Sequence, residues 1–278
     1  MANGWGTFMK SKIAETLRLK FEPVAILWSD CLPEGSLQFK GVGTGCIMSM
    51  FAKAAAKGKT SAFSKTTFGC FGGGIGLGFG KQYENFPLGV EAFKYFLSTG
   101  LESSGKEDMV EGAKRLRNKE MAEYFLKGEG YKKSPNMVGK YLENLPTMDV
   151  PSKYVVFKPL RDLAEGEEPV VISFVANPDQ LSALITLVNY DKEKNDNVIV
   201  PWGAGCTQIG ILAFMEAKSE TPRAILGLTD LEPRMAVRGL LGKDILTLTV
   251  SYRMFLEMEV NVEGSFLERS LWKRMVSD

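Results

Sequence analysis

The sequence predicts an α/β or α+β fold in which helices flank a mixed sheet. Short apolar segments rich in β-branched and aromatic residues, such as 24–28 and 170–175, indicate buried strands. One-sided apolar segments, such as the one formed by Leu181, Leu184 and Val188, indicate helices between them. The chain has 278 residues, of which 45% are hydrophobic and 24% charged, so it is long enough to bury a core without disulfide bridges.

The elements are predicted in the following order. Met9, Ile13, Leu17 and Phe21 recur every four residues and indicate a first helix that ends before Pro23. Strands are predicted at 24–28, 66–68, 154–157, 170–175, 198–200, 224–228 and 245–250. Helices are predicted at 46–57, at 178–188 behind an Asn177 N-cap, from about 206, at 252–258 and at 266–275. Residues 88–145 are predicted to be helical with short breaks.

The whole chain, 1–278, is predicted to form a single compact domain with a helical insert at 86–150. Two halves, 20–85 and 153–262, share a weak internal repeat: residues 22–26 resemble 168–172, and a Gly-x-Gly-Cys motif at 43–46 resembles the one at 203–206. The two matches occur in the same order in each half, although their spacing differs. The pattern therefore favours a duplicated α/β unit, in which the two motifs would occupy equivalent places.

Charge and composition restrict the partners. The net charge is +1, so no strong field favours nucleic acid or an anionic membrane, and we expect neither as a partner. The first 21 residues contain no apolar signal-peptide region, and four cysteines are too few for a secreted disulfide scaffold. We therefore expect a cytoplasmic protein with reduced thiols. We also expect that it forms a homo-oligomer and binds a small-molecule ligand.

The sequence contains no histidine. Histidine is the usual general base near neutral pH and the commonest metal ligand. Its absence excludes a Ser-His-Asp or Cys-His hydrolase within this chain and also excludes His-based zinc or iron sites. A transition metal would need thiolates and carboxylates as ligands.

Three cysteines lie beside glycines in predicted turns: Cys46 follows Gly45, Cys70 follows Gly69, and Cys206 follows Gly205. Glycine allows a sharp turn or the close approach of a ligand, and a helix N-terminus favours the thiolate form of a cysteine. Cys46, Cys70 and Cys206 are therefore candidate metal ligands for an iron–sulfur cluster or a soft metal. Two alternatives stay open: cysteines that only fill space, and a reactive thiol. The sequence contains no CxxC motif, and the spacings between its cysteines match no standard zinc or cluster motif. Cys31 is not a candidate ligand.

Six glycines fall within residues 72–80, but no Gly-x-Gly-x-x-Gly or Walker motif occurs there. The alternate glycines indicate either a strand packed against another backbone or a ligand-binding loop that includes Gly72 and Gly73. Residues 230–234, Asp-Leu-Glu-Pro-Arg, follow a predicted strand. Their charges are interpreted as a solvated helix start, with a site at the strand end as the alternative.

The chain resembles an uncharacterised prokaryotic family, domain of unknown function 169. The resemblance rests on residues 21–25, Gly45-Cys46, the segment 68–73 with its Gly-Cys-x-Gly-Gly element, residues 155–160, Asn177-Pro178 and Gly205-Cys206. The family's motif cysteines correspond to Cys46, Cys70 and Cys206. The resemblance implies one shared site but no particular reaction.

Three functions remain at this point. The first is a protein that binds an iron–sulfur cluster, a soft metal or a small ligand at Cys46, Cys70 and Cys206, with Gly45, Gly69, Gly72, Gly73 and Gly205 beside them. The second is a thiol-dependent enzyme that works without histidine. The third is a structural or regulatory module that forms a homo-oligomer.

Overall fold

The computed structural model describes residues 10–43, 45–116 and 118–276. They form two compact units. The first contains the described residues up to Phe79 and from Met148 onward, and the second is Gly80–Thr147. No described helix combines the length and the apolar character that a bilayer-spanning segment needs.

The first unit is built on a seven-stranded mixed sheet, as the sequence predicts. Its strands are β1 (Val24–Ser29), β2 (Ser61–Phe63), β3 (Tyr154–Pro159), β4 (Val171–Ala176), β5 (Val198–Ile199), β6 (Ala224–Gly227) and β7 (Leu246–Ser251). The spatial order is β2-β3-β1-β4-β7-β6-β5. Adjacent strands are antiparallel except for the parallel pair β5 and β6.

The order of the strands is the same on the two sides of the central β1–β4 pair. From the centre outward, β1, β3 and β2 lie on one side, while β4, β7 and β6 lie on the other. Each set of three is joined by antiparallel pairs. A duplicated unit would produce this arrangement, although the duplication itself stays a prediction.

Helices cover both faces of the sheet. The helices of the first unit are α1 (Lys12–Thr16), α2 (Ile47–Lys57), α3 (Phe71–Gly76), α8 (Pro178–Val188), α9 (Gly205–Ile209), α10 (Ile211–Ala217), α11 (Leu231–Leu241), α12 (Tyr252–Val260) and α13 (Ser270–Met275). One core joins α2, α9, α10 and α11 to the sheet, and the other joins α1, α8, α12 and α13. Neighbouring residues of β1 show the division, because Ile26 belongs to the first core and Leu27 to the second.

The second unit confirms the helical character predicted for residues 88–145. It contains α4 (Gly89–Phe96), α5 (Glu107–Lys114), α6 (Lys119–Lys127) and α7 (Pro135–Asn144). Its small core is aromatic: the rings of Phe86 and Phe125 stack with centroids 5.1 Å apart, and Phe96 packs beside both. Ser134 caps the N-terminus of α7 by accepting a hydrogen bond from the N–H of Met137.

Capping residues and backbone conformation explain where helices α8 and α1 begin or end. Asn177 caps α8 as predicted, and Gln180 completes a capping box with it. The first helix is shorter than predicted, because Arg18 adopts a left-handed backbone (φ 49°) that ends it, although Leu17 and Phe21 are still buried. Met9 lies outside the described residues.

Two strand predictions were wrong. Residues 65–67 form a turn or bend, and β2 lies earlier, at Ser61–Phe63. The glycine run does not form a strand, because residues 71–76 form the short helix α3. The close approach of backbones predicted there is nevertheless present. A Cβ atom on Gly76 would lie 2.8 Å from the backbone of Cys206 in α9, so glycine is needed where these two helices meet.

Candidate functional site

The three predicted cysteines lie at the starts of three helices on the same face of the sheet. Cys46 is the N-cap residue of α2, Cys70 is the N-cap residue of α3, and Cys206 lies in the first turn of α9. Their placement at helix N-termini confirms the prediction made for Cys46 and Cys206. We call the three residues the thiol site. Cys31 is exposed and lies in the loop after β1, outside this site.

Backbone contacts between the Gly45 loop and the Gly69 loop place Cys46 near Cys70. The N–H of Cys70 donates a hydrogen bond to the carbonyl oxygen of Gly45 at 2.9 Å, and Val42 forms a parallel bridge with Gly69. Gly69 has φ +75°, and a Cβ atom on it would lie 2.5 Å from the Gly45 oxygen. Only glycine meets both requirements, so Gly69 allows the two loops to touch.

Helix α3 contacts the sulfur atoms of both Cys70 and Cys206. The N–H of Gly73 donates to Cys70 Sγ at 3.3 Å, while Cys206 Sγ donates to the carbonyl oxygen of Gly72 at 3.4 Å. A Cβ atom on Gly73 would collide with the side chain of Ile47, the first residue of α2. Gly72 differs, because nothing lies within 4 Å of where its Cβ would be. The site is therefore tightly packed at Gly73 and open at Gly72.

The remaining predicted glycines also lie in close contacts. A Cβ atom on Gly45 would lie 2.6 Å from Cε1 of Phe39. A Cβ atom on Gly205 would lie 3.2 Å from Met48 in α2 and 3.2 Å from Pro233 in α11. Gly205 therefore lies between two helices, and the start of α11 joins the site.

The thiols are held in their neutral form. Burial and, second to it, the charge of Cys46 raise the pKa of Cys70 to about 11. Burial also raises the pKa of Cys206 well above its usual value, with repulsion from Cys70 and Cys46 as the next causes. Burial is the main cause of the raised pKa of Cys46, although the N–H groups of Met48 and Ser49 partly offset it. Helix N-termini favour thiolates, but here desolvation outweighs them, so the predicted thiolate character was wrong.

The pKa shifts show electrostatic coupling among the thiols. A negative charge on Cys46 or Cys70 raises the pKa of Cys206, and a charge on Cys46 raises the pKa of Cys70. Coulomb interactions of this kind weaken with distance and are screened by salt. Three cysteines that lie far apart in the sequence are therefore electrostatically coupled in the fold.

Two carboxyl groups at the start of α11 complete the site. Asp230, its N-cap residue, is half-buried, whereas Glu232 is exposed. Burial and the charge of Glu232 raise the pKa of Asp230 from 3.8 to about 6. Both carboxylates raise the pKa of Cys46. The prediction of a solvated helix start therefore holds for Glu232 but was wrong for Asp230, whose pKa lies in the range that histidine covers in other proteins.

A buried amide holds the two residues that precede Asp230. Gln208 is fully buried, donates from Nε2 to the carbonyl oxygen of Pro201 and to Thr229 Oγ1, and accepts from the N–H of Leu228. Leu228 has a left-handed backbone with φ 61°, which is costly for a leucine. Nothing in the sequence signals this network, because its members come from separate segments.

The Asp230→Asn variant is expected to be more stable than the native protein at pH 8, by about 1–2 kcal/mol after allowance for solvent screening. Folding raises the pKa of Asp230 to about 6, so the folded state favours the protonated carboxyl group. The contribution of this group to the free energy of unfolding is therefore fully present below about pH 4 and is lost as the pH rises through 6. Asparagine stays neutral and avoids that loss. Thermal unfolding at pH 8 and pH 4 measures the difference. A gain of equal size at both pH values, or from the exposed control Asp244→Asn, would contradict this explanation.

The described residues contain no preformed set of ligands for the metal that the sequence predicts. Among the residues that the structure describes, no group of three or more His, Cys, Asp or Glu side chains is arranged to hold a metal ion. The sulfur atoms are the right kind of donor for a soft metal, but they are protonated and turned toward backbone groups. Binding would require the side chains to rotate and release their protons.

Fold and site together define a mixed α/β protein with a thiol site built from helix N-termini on one face of its sheet. The chain belongs to the family of domain of unknown function 169 (DUF169, "Uncharacterised ArCR"), whose model matches residues 12–261. The resemblance expected from the cysteine motifs is thereby confirmed. Comparisons with curated proteins and with solved structures gave no match.

Proposed function

We propose that the protein binds a small thiophilic ligand, a soft cation or an iron–sulfur cluster, through Cys46, Cys70 and Cys206. The observation that carries the proposal is that three separate segments place cysteines at helix starts on one face of the sheet, where Cys46 raises the pKa of Cys70 and both raise the pKa of Cys206. A bound cation would relieve that repulsion, since thiols coordinated to a metal lose their protons.

The surroundings support entry of a ligand. Cys46 and Cys70 are half-buried, whereas Cys206 is buried. The missing side chain at Gly72 leaves open space next to the carbonyl group that Cys206 contacts. Rotation of two accessible cysteines toward this space would bring their sulfur atoms to a common ligand, with Asp230 and Glu232 supplying negative charge nearby.

Titration of the reduced protein with Cd²⁺ under anaerobic conditions tests the proposal, because Cd²⁺ is a soft probe with strong thiolate charge-transfer absorption. One equivalent is expected to bind. Cys46→Ser, Cys70→Ser and Cys206→Ser should each weaken binding at least about 10–100-fold, the loss usual even for partners outside the coordination shell. The matched control is Cys31→Ser, which removes an exposed thiol outside the site and should leave affinity unchanged.

The outcomes separate the ligand classes. Iron and a broad visible absorption in protein purified without oxygen identify the cluster. Cd²⁺ binding without iron in the purified protein indicates a single soft cation. Cd²⁺ binding that depends on Cys31, or that is unchanged in all three site variants, would overturn the proposal.

A thiol-dependent enzyme is the second candidate, and the position of Asp230 favours it. A carboxyl group with a pKa of about 6 near a thiol can exchange protons at neutral pH without histidine. The raised pKa values of the thiols argue against it. Rapid alkylation of Cys46 by iodoacetamide at pH 6, compared with Cys31 in the same sample, would favour the enzyme over the binding protein.

A further inference from the structure

We propose that Cys46 and Cys70 form a reversible intramolecular disulfide, through which the protein exchanges two electrons with a small-molecule disulfide. The pair lies in the proposed ligand site, but the inference rests on backbone geometry and does not require that any ligand binds. The decisive contact is the hydrogen bond from the N–H of Cys70 to the carbonyl oxygen of Gly45, the residue that precedes Cys46.

This hydrogen bond limits the distance between the two Cα atoms. In a trans peptide the carbonyl oxygen of Gly45 lies about 2.8 Å from the Cα of Cys46. The hydrogen bond is 2.9 Å long, and the N–Cα bond of Cys70 adds about 1.5 Å. A straight path would separate the Cα atoms by about 7 Å, and a bent path brings them closer. Disulfides join Cα atoms about 4.4–6.8 Å apart, so a modest bend in this path brings the pair into the range of a bridge.

The two cysteines have similar backbone settings. Each cysteine is the N-cap residue of its helix and has an extended backbone, with φ −90° and ψ 128° at Cys46 and φ −74° and ψ 159° at Cys70. The sulfur of Cys70 accepts a hydrogen bond from the N–H of Gly73, while the N–H groups of Met48 and Ser49 lower the pKa of Cys46. A charge on Cys46 also raises the pKa of Cys70, so the two thiols are electrostatically coupled.

Accessibility favours this pair over one that includes the third thiol. Cys46 and Cys70 are half-buried residues, whereas Cys206 is 5% exposed, so a small disulfide has less protein to displace at the first two. The sulfur of Cys206 also donates a hydrogen bond to the carbonyl oxygen of Gly72 in the interior. Cys31 is exposed but lies elsewhere, so it serves as an internal control.

The exchange has two steps, with glutathione disulfide as the oxidant. One cysteine loses its proton, and its thiolate attacks a sulfur of glutathione disulfide, which forms a mixed disulfide and releases one glutathione thiolate. The thiolate of the second cysteine attacks the protein-bound sulfur, forms the Cys46–Cys70 bond and releases a second glutathione. The two protons are taken up by the two glutathione thiolates, and the two electrons pass from the protein to the oxidant.

The full-length protein is tested after reduction, by equilibration with glutathione buffers of increasing oxidised fraction at pH 8 without oxygen. After an acid quench and alkylation, mass spectrometry of the peptides counts free and bridged cysteines. We expect a Cys46–Cys70 linked peptide with a loss of two hydrogens, in the native protein and in Cys206→Ser and Cys31→Ser. In Cys46→Ser and Cys70→Ser the remaining partner should carry glutathione or remain free.

Two results would overturn the inference. One is a bridge that joins Cys206 to either partner as the main product. The other is the persistence of free Cys46 and Cys70 at a hundredfold excess of glutathione disulfide while Cys31 in the same sample becomes glutathionylated. Cd²⁺ titration of the reduced samples keeps the two proposals apart: a bridge without Cd²⁺ binding defeats only the ligand site, and Cd²⁺ binding without a bridge defeats only the redox pair.

Discussion

Replacing Gly210 by alanine is expected to lower the free energy of unfolding by about 3 kcal/mol. A Cβ atom at this position would overlap the carbonyl oxygen of Gly76 and would lie 2.7 Å from the carbonyl oxygen of Cys206. Both are backbone atoms, so relief requires movement of α3 or α9 instead of rotation of a side chain. Because the sulfur of Cys206 contacts α3, this movement would also weaken Cd²⁺ binding.

Chemical denaturation followed by circular dichroism measures the loss of stability. The matched control is Gly239→Ala, because Gly239 lies within α11 and has nothing within 4 Å of its Cβ position. Alanine there should stabilise the protein by about 0.5–1 kcal/mol through helix propensity. If both variants change the free energy of unfolding in the same direction and by the same amount, then the close contact between α3 and α9 is not what makes alanine destabilising at position 210.

The affinity of the thiol site for Cd²⁺ is expected to rise steeply with pH, by about 10⁴-fold between pH 6 and pH 8 if two protons are released. Burial raises the pKa of Cys70 to about 11 and raises that of Cys46, so both thiols are protonated throughout this range. A cation must displace these protons, and each one released contributes about a tenfold gain in affinity per pH unit. Calorimetric titration in buffers of different ionisation enthalpy counts the protons directly.

The charged groups near the thiols act in the same direction. Asp230 ionises near pH 6 and adds a negative charge that attracts a cation above that pH, and Glu232 lies in the first turn of the same helix. The neighbouring thiol Cys206 is protonated over the same range, because burial raises its pKa well above the usual value. Asp230→Asn should therefore flatten only the part of the profile near pH 6. An affinity independent of pH would show that the probe binds at carboxylates outside the thiol site.

Much of the fold could be predicted because its signals are local. The apolar segments of β1, β3, β4 and β7 are long enough to be recognised, and the capping residues Asn177 and Gln180 mark the start of α8. The failures have a common cause. The glycine run has the spacing of a strand, but contact with α2 and α9 makes it a helix, and the left-handed residue Arg18 ends a helix whose apolar pattern continues.

The candidate site was partly predictable for a similar reason. A glycine before each of Cys46, Cys70 and Cys206 signals a tight turn, and each turn is present at a helix start. The ionisation of the thiols was not predictable, because it depends on burial and on neighbours from other segments. For Asp230 the sequence favoured a solvated helix start over a site at the strand end, because the burial that raises its pKa depends on segments far away in the chain.

The amino-acid sequence by itself determined the α/β class, the turns that carry the cysteines and the exclusion of histidine chemistry, since these depend on composition and on neighbours along the chain. The tertiary structure alone decided that the three thiols are electrostatically coupled, that they are neutral, and that the charge of Asp230 acts on Cys46. Those properties depend on distances and on exclusion of water between segments far apart in sequence. Close packing of backbone against backbone at Gly69, Gly76 and Gly210 holds the segments that carry the cysteines together.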